Sequence, residues 1–384
     1  MRHLKQTIAG IALVVAGAGA TAALRPDPAT PAERRIAAAR ERITKGPQRA
    51  QGHNDLAMAF AARARETGDP DYYVKARAAL AESRRIEPGN LEADRVEAWV
   101  LLGSHEFAHA LDKAQALNRR VPDDLMTYAM LVDAYVELGR FAEAEEAAQW
   151  LLDLRPGAVP GLTRAAYLRE LFGDIDGALE LMSGALSNLP VRETEERAWV
   201  MTQMAHLHIE AGRLERAGQL IASALEAFPK YHYALAVEAR AAAESGNHER
   251  AASLYEERYR AAPHPENLFA WAEALARAGR MDEAGKRFAE FEARARAEMG
   301  AADNANRELA LFYVDRAGRP DEAVEILERE LHRRPSLPIM DAYAWALHAA
   351  GRTGEARRVI SDVLKVGTVD RGIRRHAAII LSGK

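Results

Sequence analysis

The sequence predicts an all-α solenoid, and three observations predict it. The first is an interval: an alanine followed twelve residues later by a proline, at Ala76/Pro88, Ala110/Pro122, Ala144/Pro156, Ala178/Pro190, Ala217/Pro229, Ala251/Pro263 and Ala323/Pro335. With Ala284 and Ala356, which keep the alanine but lose the proline, the alanines step by 34, 34, 34, 39, 34, 33, 39 and 33 residues. A fixed period of this size marks stacked repeats. The second is a glycine five residues before the alanine, at Gly139, Gly173, Gly212, Gly246, Gly279, Gly318 and Gly351. Glycine suits the left-handed conformation that ends a helix. The third is that no run alternates apolar and polar residues for long, while alanine is abundant and aromatics are only 7%. That favours helix over strand.

Taken in order, residues 1–22 have the layout of a secretory signal. Arg2, His3 and Lys5 form a charged start, residues 8–15 (IAGIALVV) an apolar core, and Ala20-Thr21-Ala22 an A-x-A cleavage site. The apolar stretch is short for an uncleaved anchor, since a span needs ~20 residues. Cleavage takes the net charge from −4 to −6, because Arg2 and Lys5 leave with the signal. No later stretch could cross a bilayer. Residues 23–31 hold Pro26, Pro28 and Pro31 and read as an extended spacer. Residues 32–49 supply one capping helix, closed by Gly46-Pro47. The repeats fill residues 50–366. Each is two apolar-periodic stretches joined by a short turn, and the proline stops the second helix. Small residues twelve before the repeat alanine (Ala98, Ala166, Ala205, Ala239, Ala272, Ala344) let the two helices approach closely. Residues 367–384 look like a final capping helix and tail, as the open end of an array requires.

Two five-residue insertions interrupt the period. One falls around Pro190, Val191, Arg192 and Glu193. The other precedes the eighth unit and predicts a longer helix ending near Gly300. In the first two units Asp71 and His105 stand where glycine stands elsewhere. Gly68 and Gly103 lie just upstream, which predicts wider turns there.

These slots, filled in register, resemble the tetratricopeptide repeat over about residues 50–366, some nine units. The family's large apolar slot holds Leu80, Met182, Ile221, Tyr255, Phe288, Leu327 and Ile360, with alanine at Ala114 and Ala148. The resemblance implies a right-handed superhelix whose first helices line a concave groove. In the slot after the small residue it places Trp99, Tyr167, Phe312 and Trp345, with Asp133, His206, Arg240 and Glu273 in other units. One turn earlier it places Arg95, Thr163, Phe269 and Asp341, and at the helix start Trp199 and Tyr233. The family also uses slots one turn later. Its chaperone-tail binders clamp a carboxylate with lysine and asparagine, and these slots hold few of either.

Composition narrows the chemistry. There are no cysteines, so disulfides, thiol catalysis and zinc–thiolate sites are excluded. With pI about 6.3, no basic stripe suggests nucleic acid. The Walker-type phosphate loop, the G-x-G-x-x-G fingerprint and the G-x-S-x-G elbow are all missing. One run resembles a zincin helix: His105-Glu106-Phe107-Ala108-His109 matches H-E-x-x-H. The repeat register places it across a turn and a helix start, so His105 and His109 need not share a face. Carboxylate pairs such as Glu143/Glu146 read as solvated helix faces.

The expectation is therefore a non-catalytic adaptor or scaffold that takes a protein or peptide segment in its groove and needs no cofactor. The short signal and the alanine- and arginine-rich style suggest a bacterial envelope protein, periplasmic or extracellular. Two alternatives are a zinc metallopeptidase built on the H-E-x-x-H run, and a glycan- or lipid-handling protein whose aromatics stack on sugars or cover acyl chains.

Overall fold

The computed structural model describes residues 29–382. The signal and most of the proline-rich spacer lie outside the described residues. Twenty α-helices and no strands occur among the described residues. After α1 (Pro31–Lys45) come nine hairpin pairs: α2 (Ala50–Thr67) with α3 (Asp71–Ile86), α4 (Leu91–Gly103) with α5 (Phe107–Arg120), α6 (Leu125–Glu137) with α7 (Phe141–Leu154), α8 (Val159–Leu171) with α9 (Ile175–Asn188), α10 (Thr194–Glu210) with α11 (Leu214–Ala227), α12 (His232–Glu244) with α13 (His248–Ala261), α14 (Pro265–Arg277) with α15 (Met281–Ala297), α16 (Asn306–Phe312) with α17 (Pro320–Arg333), and α18 (Leu337–Ala349) with α19 (Thr353–Lys365). A single helix, α20 (Arg371–Ser382), follows the last pair. The architecture is the all-α superhelix that the period predicts. No helix among the described residues is long and apolar enough to cross a membrane.

The repeat slots do the work their side chains suit. All nine repeat alanines are at most 2% exposed, and the six small residues opposite them are fully buried. A methyl group on each side lets paired helices sit near the lower end of the ~8–10 Å range. Helix starts are capped locally. Asn90, Asp124, Asp174 and Asn247 each accept a backbone N–H from the first turn of the following helix. Thr30 and Glu33 cap α1 reciprocally.

The pairs wind into a coil tight enough that its second turn touches the first. The hairpin turn of one unit lies against the start of the unit six further on. A Cβ on Gly68 would come within 2.8 Å of the Ala262 Cβ. His105 Nδ1 lies 3.1 Å from Asp303. A Cβ on Gly139 would meet the Pro335 carbonyl oxygen at 2.8 Å, and one on Gly173 the Gly367 carbonyl oxygen at 2.6 Å. Units that have no partner six ahead lack this contact: nothing lies within 4 Å of such an atom on Gly246, Gly279, Gly318 or Gly351.

Gly139 and Gly173 therefore carry two constraints. Their φ values are +67° and +83°, the left-handed region. Gly279 shares only the first, with φ +79°. Gly279→Ala is expected to cost about 1–2 kcal/mol from backbone conformation alone. Gly173→Ala should cost roughly 1–3 kcal/mol more, because its methyl group displaces the next turn of the coil. Urea denaturation of the two variants measures the difference, and equal losses would mean that the coil-to-coil contact carries no energy.

Both insertions land on the seam between coils. The first lengthens α10 to 17 residues, against 13 in α12. Its added turn carries Glu195, which pairs with Arg65, while Glu193 just before it pairs with Arg35 at 2.8 Å. The second lengthens α15, which ends at Ala297, close to the expected Gly300. The loop beyond it presents Asp303 to His105.

Three expectations about register need correction. The turn of the second unit is not wider. α5 begins two residues after His105, as α7 does after Gly139, and His105 itself takes the left-handed conformation with φ +59°. That strain, about 1–2 kcal/mol for an L-residue, is held by Asp303 and by stacking on Phe107. Nor is the turn of the first unit longer. Gly68, Asp69 and Pro70 join α2 to α3, three residues as in the second unit, and the turn is instead shifted two residues earlier relative to the repeat alanine. In the eighth unit α16 passes into a π-helical turn, Tyr313–Ala317. The wider turn adds one residue before Gly318, so counting back from Gly318 falls one residue short. Ala310 fills the small slot, and Leu311 faces the groove in place of Phe312.

Candidate functional site

Closing the coil turns the concave face of the first units into a channel. A cavity of about 820 Å³ lies inside it, bounded by the first helices of the early units and by the seam residues of the later ones. Trp99 on α4, Asp133 and Glu137 on α6, Thr163 and Tyr167 on α8, and Trp199 on α10 face it from one side. Tyr233, His264 and Asp303 close it from the other. A second cavity of about 830 Å³, lined by Arg240, Tyr255, Phe269, Glu273 and Leu311, continues along α12 to α16. Glu266 borders both, so the two run on from one another.

The seam that closes the channel is polar and buried. Glu195, 6% exposed, takes the Arg65 guanidinium on one oxygen and a 2.6 Å hydrogen bond from the Tyr231 hydroxyl on the other. Burial works against the Arg65 charge, but Glu195 and its neighbours win and strengthen the protonated form. His232, 4% exposed, donates from Nε2 to the Arg65 carbonyl at 2.9 Å. Its Nδ1 is buried without a partner. Burial pushes His232 down to about 4, with Arg258 nearby adding to the effect and the Arg65 carbonyl opposing it. Asp303 sits between His105 and His264, the latter at 3.5 Å. Burial alone would raise the Asp303 carboxyl, but the two imidazoles hold it well below the carboxylate range. His264 is raised in turn: burial opposes its charge, and Asp303 outweighs that.

Most charge within the channel is matched, although among the described residues Asp69 accepts only the Asp71 backbone N–H. Burial also raises the Glu196 carboxyl, with Arg65 opposing and Glu193 adding. Asp133 accepts two hydrogen bonds from Arg164, at 3.0 and 2.7 Å. Glu196 lies 3.9 Å from Arg35. His206, just beyond, links α8 to α12: Arg240 donates to its Nδ1 at 3.0 Å, and its Nε2 donates to Glu170 at 2.8 Å. Glu137 has neither a hydrogen bond nor an ion pair from its carboxylate among the described residues. Burial raises its pKa; Arg334 and His105 pull at longer range in the other direction, and Asp133 adds to the rise. Tyr167 presents 38% of its surface to the channel, yet protein surrounds it beyond that space. That enclosure raises its phenol pKa, and the carboxylates of Glu137, Glu170 and Asp133 add to it.

The residues expected in the groove divide accordingly. Trp99, Asp133, Thr163, Tyr167, Trp199 and Tyr233 line the channel, and Arg240, Phe269 and Glu273 line its continuation. Five do not line either cavity. Arg95 is tied to Glu92 and Asp124, and His206 to Glu170 and Arg240. Phe312 is core, stacked on Phe288 at 5.3 Å because of the π-helical turn. Asp341 is 4% exposed and bonded to His376 at 2.9 Å. Trp345 stacks on the same imidazole at 4.5 Å. α20 covers both, as the next repeat would.

The H-E-x-x-H run does not form a zincin helix. Glu106 is the residue before α5 and takes Arg77, His105 faces Asp303, and His109 is exposed with Nδ1 3.4 Å from Glu106. No group of three metal-ligating side chains gathers among the described residues. Sequence reasoning missed Glu137, which stands one turn beyond Asp133 in a slot the family uses. It also missed the seam residues Arg65, Glu195, His232, His264 and Asp303, for which only the two insertions gave a signal.

The tetratricopeptide-repeat family model matches residues 129–192 and 202–264. Among solved structures, the chain is similar to the human IFIT1 dimer with m7Gppp-AAAA, at 13% identity and TM-score 0.51, covering 86% of this chain and 94% of that one. A monomeric IFIT1 mutant with Gppp-AAAA matches at 17% identity and TM-score 0.53, covering 83% and 71%. The Cut9–Hcn1 hetero-tetramer of APC/C matches at 14% identity and TM-score 0.48 over 85% of this chain. The chain spans 55% of that relative's length. At these identities the likeness is one of fold. No curated protein matches the sequence.

Proposed function

Because the chain belongs to the tetratricopeptide-repeat family, a family of protein-interaction scaffolds, we propose that it is a non-catalytic adaptor that takes an extended segment of a partner protein along the channel and its continuation. The observation that carries the reading is the aromatic lining of a closed channel: Trp99, Tyr167, Trp199 and Tyr233 gather in one cavity of about 820 Å³. Aromatic anchors in enclosed pockets supply most of the energy of peptide recognition. A polyanion fits poorly, since Glu137 would face its phosphates without a counter-charge. The signal-like residues 2–22 support an exported protein, periplasmic or extracellular, whose partner belongs to a bacterial envelope.

The test is capture from envelope extract by wild type and by two variants. Trp99→Ala is expected to lose a discrete protein partner by at least tenfold, about 1.4 kcal/mol or more. Trp345→Ala, whose ring α20 covers, should retain it. Retention of glycan or lipid alone would overturn the reading, as would equal loss in both variants.

A further inference from the structure

Glu137 ends α6, where the helix dipole already disfavours a negative charge. Among the described residues it faces the channel with no hydrogen bond or ion pair of its own, Arg334 and His105 acting only at longer range. Asp133 is engaged by Arg164 and Asp303 by His105 and His264, and Glu196 lies 3.9 Å from Arg35. A carboxylate left so in an enclosed space costs free energy unless something positive arrives. Asp133 shares its face one turn before, and the equivalent slots on the neighbouring helices α4 and α8 hold Trp99 and Tyr167. Electron-rich rings one turn before the unpaired carboxylate suit a cation whose apolar stem lies along them.

Building on the channel reading, we propose that Glu137 is the specificity-determining residue of that channel, receiving the ammonium or guanidinium of a lysine or arginine in the bound segment, with Trp99 and Tyr167 flanking its stem. The partner is thus an extended segment with a basic residue among apolar ones. An acidic tail does not suit it.

The experiment uses random peptides of about twelve residues displayed on phage, long enough to span ~40 Å when extended. They are selected against the purified full chain and counter-selected against Trp99→Ala. The recovered peptides should share a lysine or arginine. By calorimetry, replacing that residue with methionine should weaken binding by about 10- to 100-fold, the range for a hydrogen bond to a charged group. Glu137→Gln should weaken the parent peptide equally, leave the methionine peptide unchanged, and keep the wild-type circular dichroism spectrum. Trp99-dependent peptides indifferent to Glu137→Gln, or enriched in acidic residues, would overturn the Glu137 assignment and leave the channel reading intact. Recovery of no Trp99-dependent peptide would overturn both.

Discussion

Glu195→Gln is expected to cost about 2–3 kcal/mol of stability, because it leaves Arg65 at the seam without its main counter-charge. The substitution keeps the shape and still accepts the Tyr231 hydroxyl, so the loss reports the charge alone. Arg65 keeps 32% of its side chain exposed to the channel, which sets the estimate below the usual cost of breaking a fully buried pair. Glu196 nearby softens it further. Arg65 and Glu195 lie 130 residues apart, so the effect should be concentrated where the coils meet. Amide exchange in α1, α2 and α3 should rise more than in α17, α18 and α19. In a simple solenoid each repeat contacts only its neighbours. Here the seam couples units four to six apart, and the array should unfold more cooperatively than nearest-neighbour stacking allows. A double-mutant cycle with Arg65→Met measures the coupling. A value below ~0.5 kcal/mol would mean that the coils are held by shape alone.

The second large effect is on acidification. His232 is neutral in the fold because it is buried, its Nε2–H is committed to the Arg65 carbonyl, its Nδ1 has no partner, and the Arg258 charge lies nearby. Unfolded, it protonates near its ordinary value of about 6.5. Folded, it resists until about 4. A depressed folded pKa means that the stabilising contribution is full above pH ~6.5 and is lost as pH falls from there toward 4. At ~1.4 kcal/mol per pH unit the loss reaches about 3 kcal/mol. The neighbouring clasp does not follow in this window. Asp303 is lowered and stays charged, and His264 is raised, so its contribution is held on the acid side and fades only as pH rises through its folded value. His232→Gln, whose amide nitrogen can replace Nε2–H as donor, should flatten the slope between pH 6.5 and 4 in urea titrations. An unchanged slope would place the sensitivity elsewhere.

These two effects arise where sequence reasoning was weakest. The alanine, glycine and proline slots made the helices, the hairpins and most groove-facing positions legible, because each depends on neighbours within one repeat. Trp99, Asp133, Tyr167, Trp199 and Tyr233 could be named that way. The method misled where local geometry changed the count, as at the π-helical turn that put Phe312 in the core. It also misled where α20 covered Asp341 and Trp345. Glu137 was within reach: its slot was known, but a lone glutamate on a helix reads as solvated until the coil closes around it.

What the sequence determined by itself is the repeat and the handful of side chains each copy turns inward. Periodicity records contacts between residues at most a few tens of positions apart. What only the tertiary structure decided is that six repeats complete a turn and the coil closes on itself. Small rotations between units accumulate, and no single repeat encodes their sum. That closure turns two insertions into a seam, gives Gly139 and Gly173 their second constraint, and makes an open groove a channel. It also leaves Glu137 inside that channel as an unmatched charge.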